Sequence, residues 1–296
     1  MEIIILGTSA MVPTKERNHS AILLSYKAEK ILVDCGEGTQ RQLKKADVSL
    51  HSLTMLLISH WDGDHVLGIP GLLQSLSASD YQKTLKVFGP AGTKSKLQKL
   101  MSLFNLGNKL SIEITEIRSG VFYRSDDFCL EAQSLQHTQP TLGYAFIEQD
   151  RRKVSVSKMK QLGLRQGPLI GKIVKGKSIQ HNGKTIKPDD ISHVVQGKRV
   201  CVIMDTMHSL GFNKIAKEAD LLICESTYLH ELVERAKRYK HMTARQAAEL
   251  AKHSKVKQLI LTHFSARYKK EDILEKEAKQ YFKQSRAASD LMRIKL

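Results

Sequence analysis

The segment at residues 59–65, Ser-His-Trp-Asp-Gly-Asp-His, constrains the fold of this chain more than any other feature of the sequence. It directly follows the apolar run 55–58, which predicts a buried β-strand. Imidazole and carboxylate groups are ligands for Zn²⁺, Mn²⁺ and Fe²⁺. Gly63 is expected to let the backbone turn so that the flanking side chains converge. This pattern predicts a metal site at the end of a core strand.

Three further residues of ligand type each follow an apolar, strand-like run. They are His137, Asp205 and His263. Any one of them alone is explained by a structural role, but sites in layered α/β folds assemble at strand ends. Together with the loop at 59–65 they predict two metals. Two cations held close together activate water and neutralise charge on a reacting phosphate, and Asp205 is the natural bridge between them.

Apolar β-rich runs alternate with helical patterns along the 296 residues. Strands are predicted at 2–6, 20–26, 30–35, 54–58, 84–88, 110–117, 128–136, 141–148, 199–205, 219–224 and 256–261. Helices are predicted at 38–46, 66–79, 92–105, 209–217, 227–239, 243–253 and 270–283. Thr243 is followed three residues later by Gln246, which predicts a capping box. The order of elements predicts packed sheets with helices outside, a layered α/β domain.

Positive charge is concentrated in residues 151–199. The whole chain carries a net charge of +17, and this segment holds 13 Lys and Arg residues but only two acids, Asp189 and Asp190. Glycines and prolines punctuate the segment, and few of its large apolar residues are in register. We therefore expect residues 1–150 and 200–296 to form the body, and 151–199 to form a basic insertion that favours polyanions. A lysine-rich surface hairpin without a special purpose is the alternative.

Other features of the sequence favour the cytoplasm. No apolar run is long enough to span a membrane, and the N-terminal residues lack the basic region of a signal peptide. The four cysteines are far apart and form no Cys-x-x-Cys pair. They are expected to be buried, reduced thiols. We expect no membrane partner.

The ligand loop resembles the His-x-His-x-Asp-His signature of the metallo-β-lactamase superfamily. The resemblance extends over nearly the whole chain and points to the ribonuclease Z branch, endonucleases that trim the 3′ trailers of tRNA. Five further segments are similar to motifs of this branch: residues 6–18, 34–42, 224–227, 241–244 and 262–268. The resemblance implies an α/β fold of four αββα layers with a protruding arm. It also implies a metal-dependent endoribonuclease that acts on tRNA precursors.

The resemblance also implies roles for particular residues. One metal would be bound by His60, Asp62 and His137. The other would be bound by Asp64, His65 and His263, with Asp205 bridging the two. Asp64 is also a candidate general base, and Glu225 with His241 would donate a proton to the leaving oxygen. Zn²⁺ is the expected metal, with two ions per subunit.

The RNA contacts implied by the resemblance lie in two places. The insertion is similar to the flexible arm that grips the tRNA elbow, with contacts at Gly167, Pro168, Lys172, Lys175 and Lys177. Further candidate RNA contacts are Lys15, Arg17 and Arg41, which surface salt bridges explain nearly as well. A homodimer is implied, in which the arm of one subunit serves the site of the other.

Asp62 departs from the family pattern, which has His at this position. A carboxylate still binds metal, but the added oxygen ligand shifts the preference towards Mn²⁺ or Fe²⁺. Met204, where the family usually has Gly, is a lesser departure. Two alternatives stay open: a hydrolase of another phosphodiester or ester with this fold, and a tRNA-binding member whose site is impaired by Asp62.

Overall fold

The computed structural model of this chain describes residues 1–104, 110–209 and 213–296. They divide into two compact units. The first unit comprises Met1–Tyr123, Leu130–Phe146 and Arg199–Leu296, and the second comprises Arg124–Cys129 and Ile147–Lys198. None of the helices in these ranges has the length and apolar character needed to cross a membrane. Residue 105 of the predicted helix 92–105 and residues 210–212 of the predicted helix 209–217 lie outside the described residues.

The first seven-stranded sheet contains mostly strands from the beginning of the chain. Its strands, numbered in chain order, are β1 (Glu2–Gly7), β2 (Ala21–Tyr26), β3 (Glu29–Val33), β4 (Met55–Leu57), β5 (Thr84–Gly89), β6 (Ser111–Glu116) and β18 (Met292–Lys295). Their order in the sheet is β18-β1-β2-β3-β4-β5-β6. Strands β3 to β6 are parallel, so β3 and β4 end at the same edge of the sheet.

The second seven-stranded sheet contains the remaining core strands. They are β7 (Gly120–Arg124), β8 (Phe128–Leu135), β9 (Thr141–Glu148), β14 (Arg199–Ile203), β15 (Leu221–Glu225), β16 (Leu259–Thr262) and β17 (Ser285–Ala287). Their order is β17-β16-β15-β14-β9-β8-β7. Strands β14 to β17 are parallel. The residues that follow β14 and β16 therefore lie at the same edge as the end of β15.

The first unit also contains helices, several of which pack against the two sheets. They are α1 (Thr39–Lys45), α2 (Gly63–Val66), α3 (Ile69–Ala78), α4 (Thr93–Ser102), α8 (Asn213–Ala216), α9 (Val233–Tyr239), α10 (Ala244–His253) and α11 (Asp272–Tyr281), with 3₁₀ turns at Leu50–Ser52 and His230–Leu232. Leu43 of α1 and Leu72 of α3 pack into one core with Leu23 and Leu32 of the first sheet. On the second sheet, α10 packs against β15, β16 and α11. The predicted capping box of Thr243 and Gln246 at the start of α10 is confirmed.

The inner faces of the two sheets pack against each other. The rings of Tyr26 and Phe146 lie 5.1 Å apart, and those of Phe88 and Phe122 lie 5.0 Å apart. Each pair joins a strand of one sheet to a strand of the other. The order of layers is therefore helices, sheet, sheet and helices, which agrees with the prediction of a layered α/β domain.

The second unit contains most of the basic segment. Strands β10 (Arg151–Val154) and β13 (Ser192–Val195) pair antiparallel, and β11 (Ile179–His181) and β12 (Lys184–Ile186) form a hairpin. The hairpin turn is Asn182-Gly183, and both residues have the positive φ that a tight two-residue turn requires. Three short helices complete the unit: α5 (Val156–Gln161), α6 (Pro168–Val174) and α7 (Pro188–Ile191).

The second unit has a small apolar core of its own. Six buried side chains form it: Met159, Leu164, Ile173, Ile179, Ile186 and Ile191. The sequence pattern does not indicate this core, because its members come from short helices and short strands and share no single period. The lysines lie on the outside of the unit, where their charge stays hydrated.

Candidate metal centre

The predicted ligands come together at the ends of core strands. The loop after β4 and helix α2 carry four of them, and the loops after β8, β14 and β16 carry one each. These seven residues are His60, Asp62, Asp64, His65, His137, Asp205 and His263. Gly63 lies inside the helical turn of α2, so the side chains converge because that turn is helical and not because of an unusual glycine backbone.

The first cluster comprises His60, Asp62, His137 and Asp205. Oδ2 of Asp62 lies 3.4 Å from Nε2 of His60 and 3.2 Å from Nε2 of His137. The neighbouring imidazoles of His137 and His60 hold the pKa of Asp62 well below its usual value. The carboxylate is therefore ionised, which is the form that binds a cation.

The second cluster comprises Asp64, His65, His263 and Asp205. Nε2 of His263 lies 3.2 Å from Oδ2 of Asp64 and 3.2 Å from Nε2 of His65. All four side chains are almost fully buried. Burial opposes a charged imidazole, but the carboxylates of Asp205 and Asp64 raise the pKa of His65 well above its usual value. The cluster thus favours a positive charge at the point where its ligands meet.

Asp205 belongs to both clusters and presents a different oxygen to each. Oδ2 lies 3.6 Å from Nε2 of His60, whereas Oδ1 lies 3.1 Å from Nε2 of His263. Burial favours a neutral carboxyl group, but the imidazoles of His263 and His65 hold the pKa of Asp205 well below its usual value. A carboxylate in this position can bind two cations at once.

Asp34 orients two of the histidines. Its Oδ2 accepts a hydrogen bond from Nδ1 of His65 at 2.7 Å and another from the Ser59 hydroxyl at 2.7 Å. Because the Ser59 hydroxyl donates to Asp34, its oxygen accepts from Nδ1 of His60, 2.9 Å away. Both imidazoles therefore carry their proton on Nδ1 and turn the lone pair of Nε2 into the cluster, as metal-binding histidines do.

The other two histidines are oriented in the same way. Nδ1 of His137 donates to the backbone oxygen of Lys240 at 3.1 Å. Nδ1 of His263 lies 3.0 Å from the Thr227 hydroxyl, which itself donates to Glu225 and so accepts from the imidazole. All four Nε2 lone pairs thus face carboxylate oxygens.

Among the described residues, three buried atoms of this centre lack a hydrogen-bond partner: Nε2 of His60, Oδ1 of Asp64 and Oδ1 of Asp205. Buried polar atoms in proteins are nearly always partnered. Lone pairs that face carboxylates need a positive charge between them. The residues therefore fit divalent cations.

Glu225 and His241 form a separate pair beside the clusters. Oε1 of Glu225 lies 3.2 Å from Nδ1 of His241 and also accepts from the backbone N–H of Thr206 at 2.6 Å. Burial lowers the pKa of His241, but the carboxylates of Glu225 and Asp205 outweigh it and raise this pKa to about 9. Oε2 of Glu225 accepts from Thr227. Glu225 therefore accepts hydrogen bonds through both carboxylate oxygens, and its Oε1 holds the His241 imidazole in place.

A cavity of about 130 Å³ opens onto the centre. Its lining includes Asp64, Asp205 and His241 together with Met11, Val12 and Tyr228. The backbone N–H of Met11 donates to Oδ2 of Asp64 at 2.8 Å, which ties the loop after β1 to the centre. A reacting group in this cavity would contact both clusters and the His241 imidazole.

The predicted RNA contacts differ in exposure. Lys15 and Arg41 are exposed and line a cavity of about 370 Å³. Arg17 is buried, and its guanidinium donates to the backbone oxygens of Ser265 and Tyr268. The charge of Arg17 is therefore used to hold the loop after β16, and we exclude it from the proposed RNA interface. The five candidates of the second unit, Gly167, Pro168, Lys172, Lys175 and Lys177, are all exposed.

Comparison with known proteins places the chain in a family. It is 37% identical to the ribonuclease Z of Methanothermobacter thermautotrophicus, over 100% of this chain and 97% of that protein. It is 36% identical to the ribonuclease Z of Methanosarcina acetivorans, over 100% of this chain and 98% of that protein. The chain belongs to the ribonuclease Z family. Residues 1–151 also match a family model described as Anti-Pycsar protein Apyc1, so this half of the chain falls within that family too.

The solved structure of human tRNase Z, short form, superimposes with a TM-score of 0.74, at 26% identity, over 100% of this chain and 99% of the human chain. The fold is therefore the metallo-β-lactamase fold, and the predicted family and fold are both confirmed. Membership in the ribonuclease Z family, together with the histidine and carboxylate clusters, implies that the centre binds divalent metal.

Proposed function

We propose that this chain is a metal-dependent endoribonuclease that removes 3′ trailers from tRNA precursors. The observation that carries the proposal is the sharing of Asp205 between two histidine–carboxylate clusters. Such a centre is suited to phosphodiester hydrolysis, in which an attacking and a leaving oxygen are both stabilised. The names of the relatives, ribonuclease Z and tRNase Z, support tRNA as the substrate.

Two Zn²⁺ ions per subunit are the cofactors that we propose, with Mn²⁺ or Fe²⁺ as alternatives because Asp62 adds an oxygen ligand. When bound, the metals supply Lewis-acid stabilisation and an activated water molecule. Asp64 would act as the general base through its Oδ1, which is buried and lacks a hydrogen-bond partner. His241, held by Glu225, is placed to give a proton to the leaving oxygen.

The second unit is proposed to be the arm that binds tRNA. Its exposed lysines would neutralise phosphates, and its affinity would follow the shape of the folded RNA instead of its sequence. Lys15 and Arg41 are proposed as further phosphate contacts. We also propose a cytoplasmic homodimer in which the arm of one subunit serves the other subunit's centre. Light scattering of the purified chain would measure its assembly state.

Cleavage of a 3′-extended tRNA precursor tests the proposed function. Protein stripped of metal should be inactive and should regain cleavage just past the acceptor stem when Zn²⁺, Mn²⁺ or Fe²⁺ is returned. The Asp62→His variant is assayed alongside, and we expect both proteins to cut. This expectation follows from the position of Asp62 Oδ2, within 3.4 Å of the Nε2 atoms of both first-cluster histidines.

The same assay separates the alternatives. Cleavage only by Asp62→His would mean that the natural chain is an impaired member that binds tRNA without cutting it. If the protein hydrolyses a chromogenic phosphodiester but does not cleave the precursor, its substrate is a small ester and not RNA.

Substitution of Lys172, Lys175 and Lys177 by alanine should weaken tRNA binding, most strongly at low salt. Each lost phosphate contact should reduce the slope of log affinity against log salt concentration by about 1. Filter binding over a series of salt concentrations measures this slope.

The matched control removes the same charge from the first unit by replacing three exposed lysines with alanine: Lys217, Lys252 and Lys255. If the two triple variants lose affinity equally, the effect is one of net charge, and the proposed arm is not the binding element.

A further inference from the structure

Asp62 occupies the N-cap position of α2 but does not cap the helix. Its backbone is extended, and its side chain makes no hydrogen bond to the first turn. Aspartate at an N-cap usually accepts from those backbone N–H groups. Here Oδ2 instead faces the Nε2 atoms of His60 and His137. Some other contact must therefore hold the carboxylate away from the helix.

Gln139 provides that contact. Its side-chain Nε2 donates a hydrogen bond to Oδ1 of Asp62. A carboxylate rotates readily about its Cβ–Cγ bond, and a donor on one oxygen fixes the plane of the group. With Oδ1 held by Gln139, Oδ2 points to the two imidazoles. Gln139 lies two residues after His137, so one loop supplies both a ligand and the group that orients another ligand.

Lys96 of α4 fixes the orientation of the Gln139 amide. Its Nζ lies 3.3 Å from Oε1 of Gln139, and an ammonium group can only donate. The amide oxygen must therefore face Lys96, which leaves the amide NH₂ group facing Asp62. The same Nζ lies 5.6 Å from the centre of the Trp61 ring. Lys96, Gln139 and Asp62 thus form a directed chain of hydrogen bonds that ends at the first cluster.

We propose that Gln139 is a positioning residue that makes Asp62 a working oxygen ligand of the first cluster. An aspartate side chain is shorter than a histidine side chain, so its oxygen has to be aimed if it is to replace an imidazole nitrogen. The groups that orient metal ligands commonly contribute about 10- to 100-fold to metal affinity. The inference rests on the proposed metal centre and is independent of whether the substrate is RNA.

A double-mutant cycle on metal affinity tests this inference. The four full-length proteins are the natural chain, Gln139→Leu, Asp62→His and the double variant. Each is stripped of metal and titrated with Zn²⁺ against a chromogenic chelator. Gln139→Leu should lower the affinity for one of the two bound Zn²⁺ ions by about 10- to 100-fold and leave the affinity for the other ion unchanged. In the Asp62→His background the same substitution should change affinity by less than about threefold, because the interaction it removes is already gone.

The control is Gln136→Leu, since Gln136 is an exposed glutamine on the same loop. This substitution should leave the affinities for both Zn²⁺ ions unchanged. Thermal unfolding of each metal-free protein checks that it is folded, and Gln139→Ala takes the place of Gln139→Leu if the leucine variant does not fold.

Two results would overturn the inference. One is an equal loss of affinity in the natural and Asp62→His backgrounds, which would make Gln139 a packing residue of the loop. The other is unchanged affinity in the natural background. Because no RNA is present, a chain that binds two metals but cuts no precursor would refute the proposed function and leave this inference standing.

Discussion

Replacement of Asp205 by asparagine should reduce cleavage of a tRNA precursor by roughly 10³-fold or more. The amide keeps the size of the side chain but has only one oxygen, so one of the two clusters loses a ligand and both lose a negative charge. A bound cation contributes several kcal/mol to the transition state, and about 1.4 kcal/mol corresponds to a factor of ten in rate. Single-turnover cleavage and elemental analysis of the purified protein measure the loss of activity and of metal.

Asp220→Asn is the matched control, because Asp220 is a buried carboxylate in the same unit but outside the centre. It accepts from the backbone N–H of Arg199 at 2.9 Å and pairs with Lys257. We expect a lower Tm with cleavage and metal content retained. If Asp205→Asn keeps two metals and most of its activity, Asp205 does not bridge, and the shared carboxylate loses its proposed role.

The sequence predicts the central strands well, because each is an apolar run that ends at a glycine or a polar residue. The predicted strand 141–148 coincides with β9, and the predictions for β1 and β2 are confirmed with a shift of one residue at one end. Strand β16 begins three residues later than the predicted strand 256–261. Strands β7, β17 and β18 are not predicted. They are short or half-exposed, and β18 is a strand only because its backbone pairs with β1.

Two helix predictions are wrong at their N-terminal ends. The predicted helix 66–79 corresponds to α3, which begins only at Ile69, whereas Val66 is the last residue of the separate helix α2. Residues 67 and 68 form a turn between the two helices, and Pro70 begins a new helix more readily than it continues one. The predicted helix 227–239 begins only with the 3₁₀ turn at His230–Leu232. Thr227 and Tyr228 do not join this helix, because the Thr227 hydroxyl hydrogen-bonds to His263 and Tyr228 forms a β-bridge with Thr243.

The ligands of the centre are predictable from the sequence because each follows an apolar strand closely in the chain, and a strand and the residues after it can be recognised from a short segment. The groups that orient the ligands are not predictable in this way. Asp34 contacts His65, and Gln139 contacts Asp62, across long stretches of chain. Which residues meet is decided by the packing of the two sheets. Packing also decides the contacts of Arg17. The sequence makes this arginine a candidate RNA contact, but in the fold its guanidinium donates hydrogen bonds to two backbone oxygens.

Replacement of His241 by alanine should slow precursor cleavage by about 10²- to 10⁴-fold, the usual contribution of a general acid. Glu225 holds Nδ1 of His241 at 3.2 Å, which leaves Nε2 as the nitrogen that can give a proton to the leaving oxygen. A ribose oxygen needs that proton, whereas a nitrophenolate leaving group does not. Hydrolysis of a nitrophenyl phosphodiester by the same variant should therefore fall far less than cleavage of the precursor.

His253→Ala, at an exposed histidine of α10, is the control and should leave both reactions unchanged. Metal content distinguishes the proton-donating role from direct ligation, since Glu225, His241 and His263 also lie close enough together to hold a cation. A His241→Ala protein with two metals, slow on RNA and fast on the nitrophenyl ester, has lost a general acid. Equal losses on both substrates together with loss of metal would mean that His241 is a ligand, and the leaving oxygen would then need another proton donor.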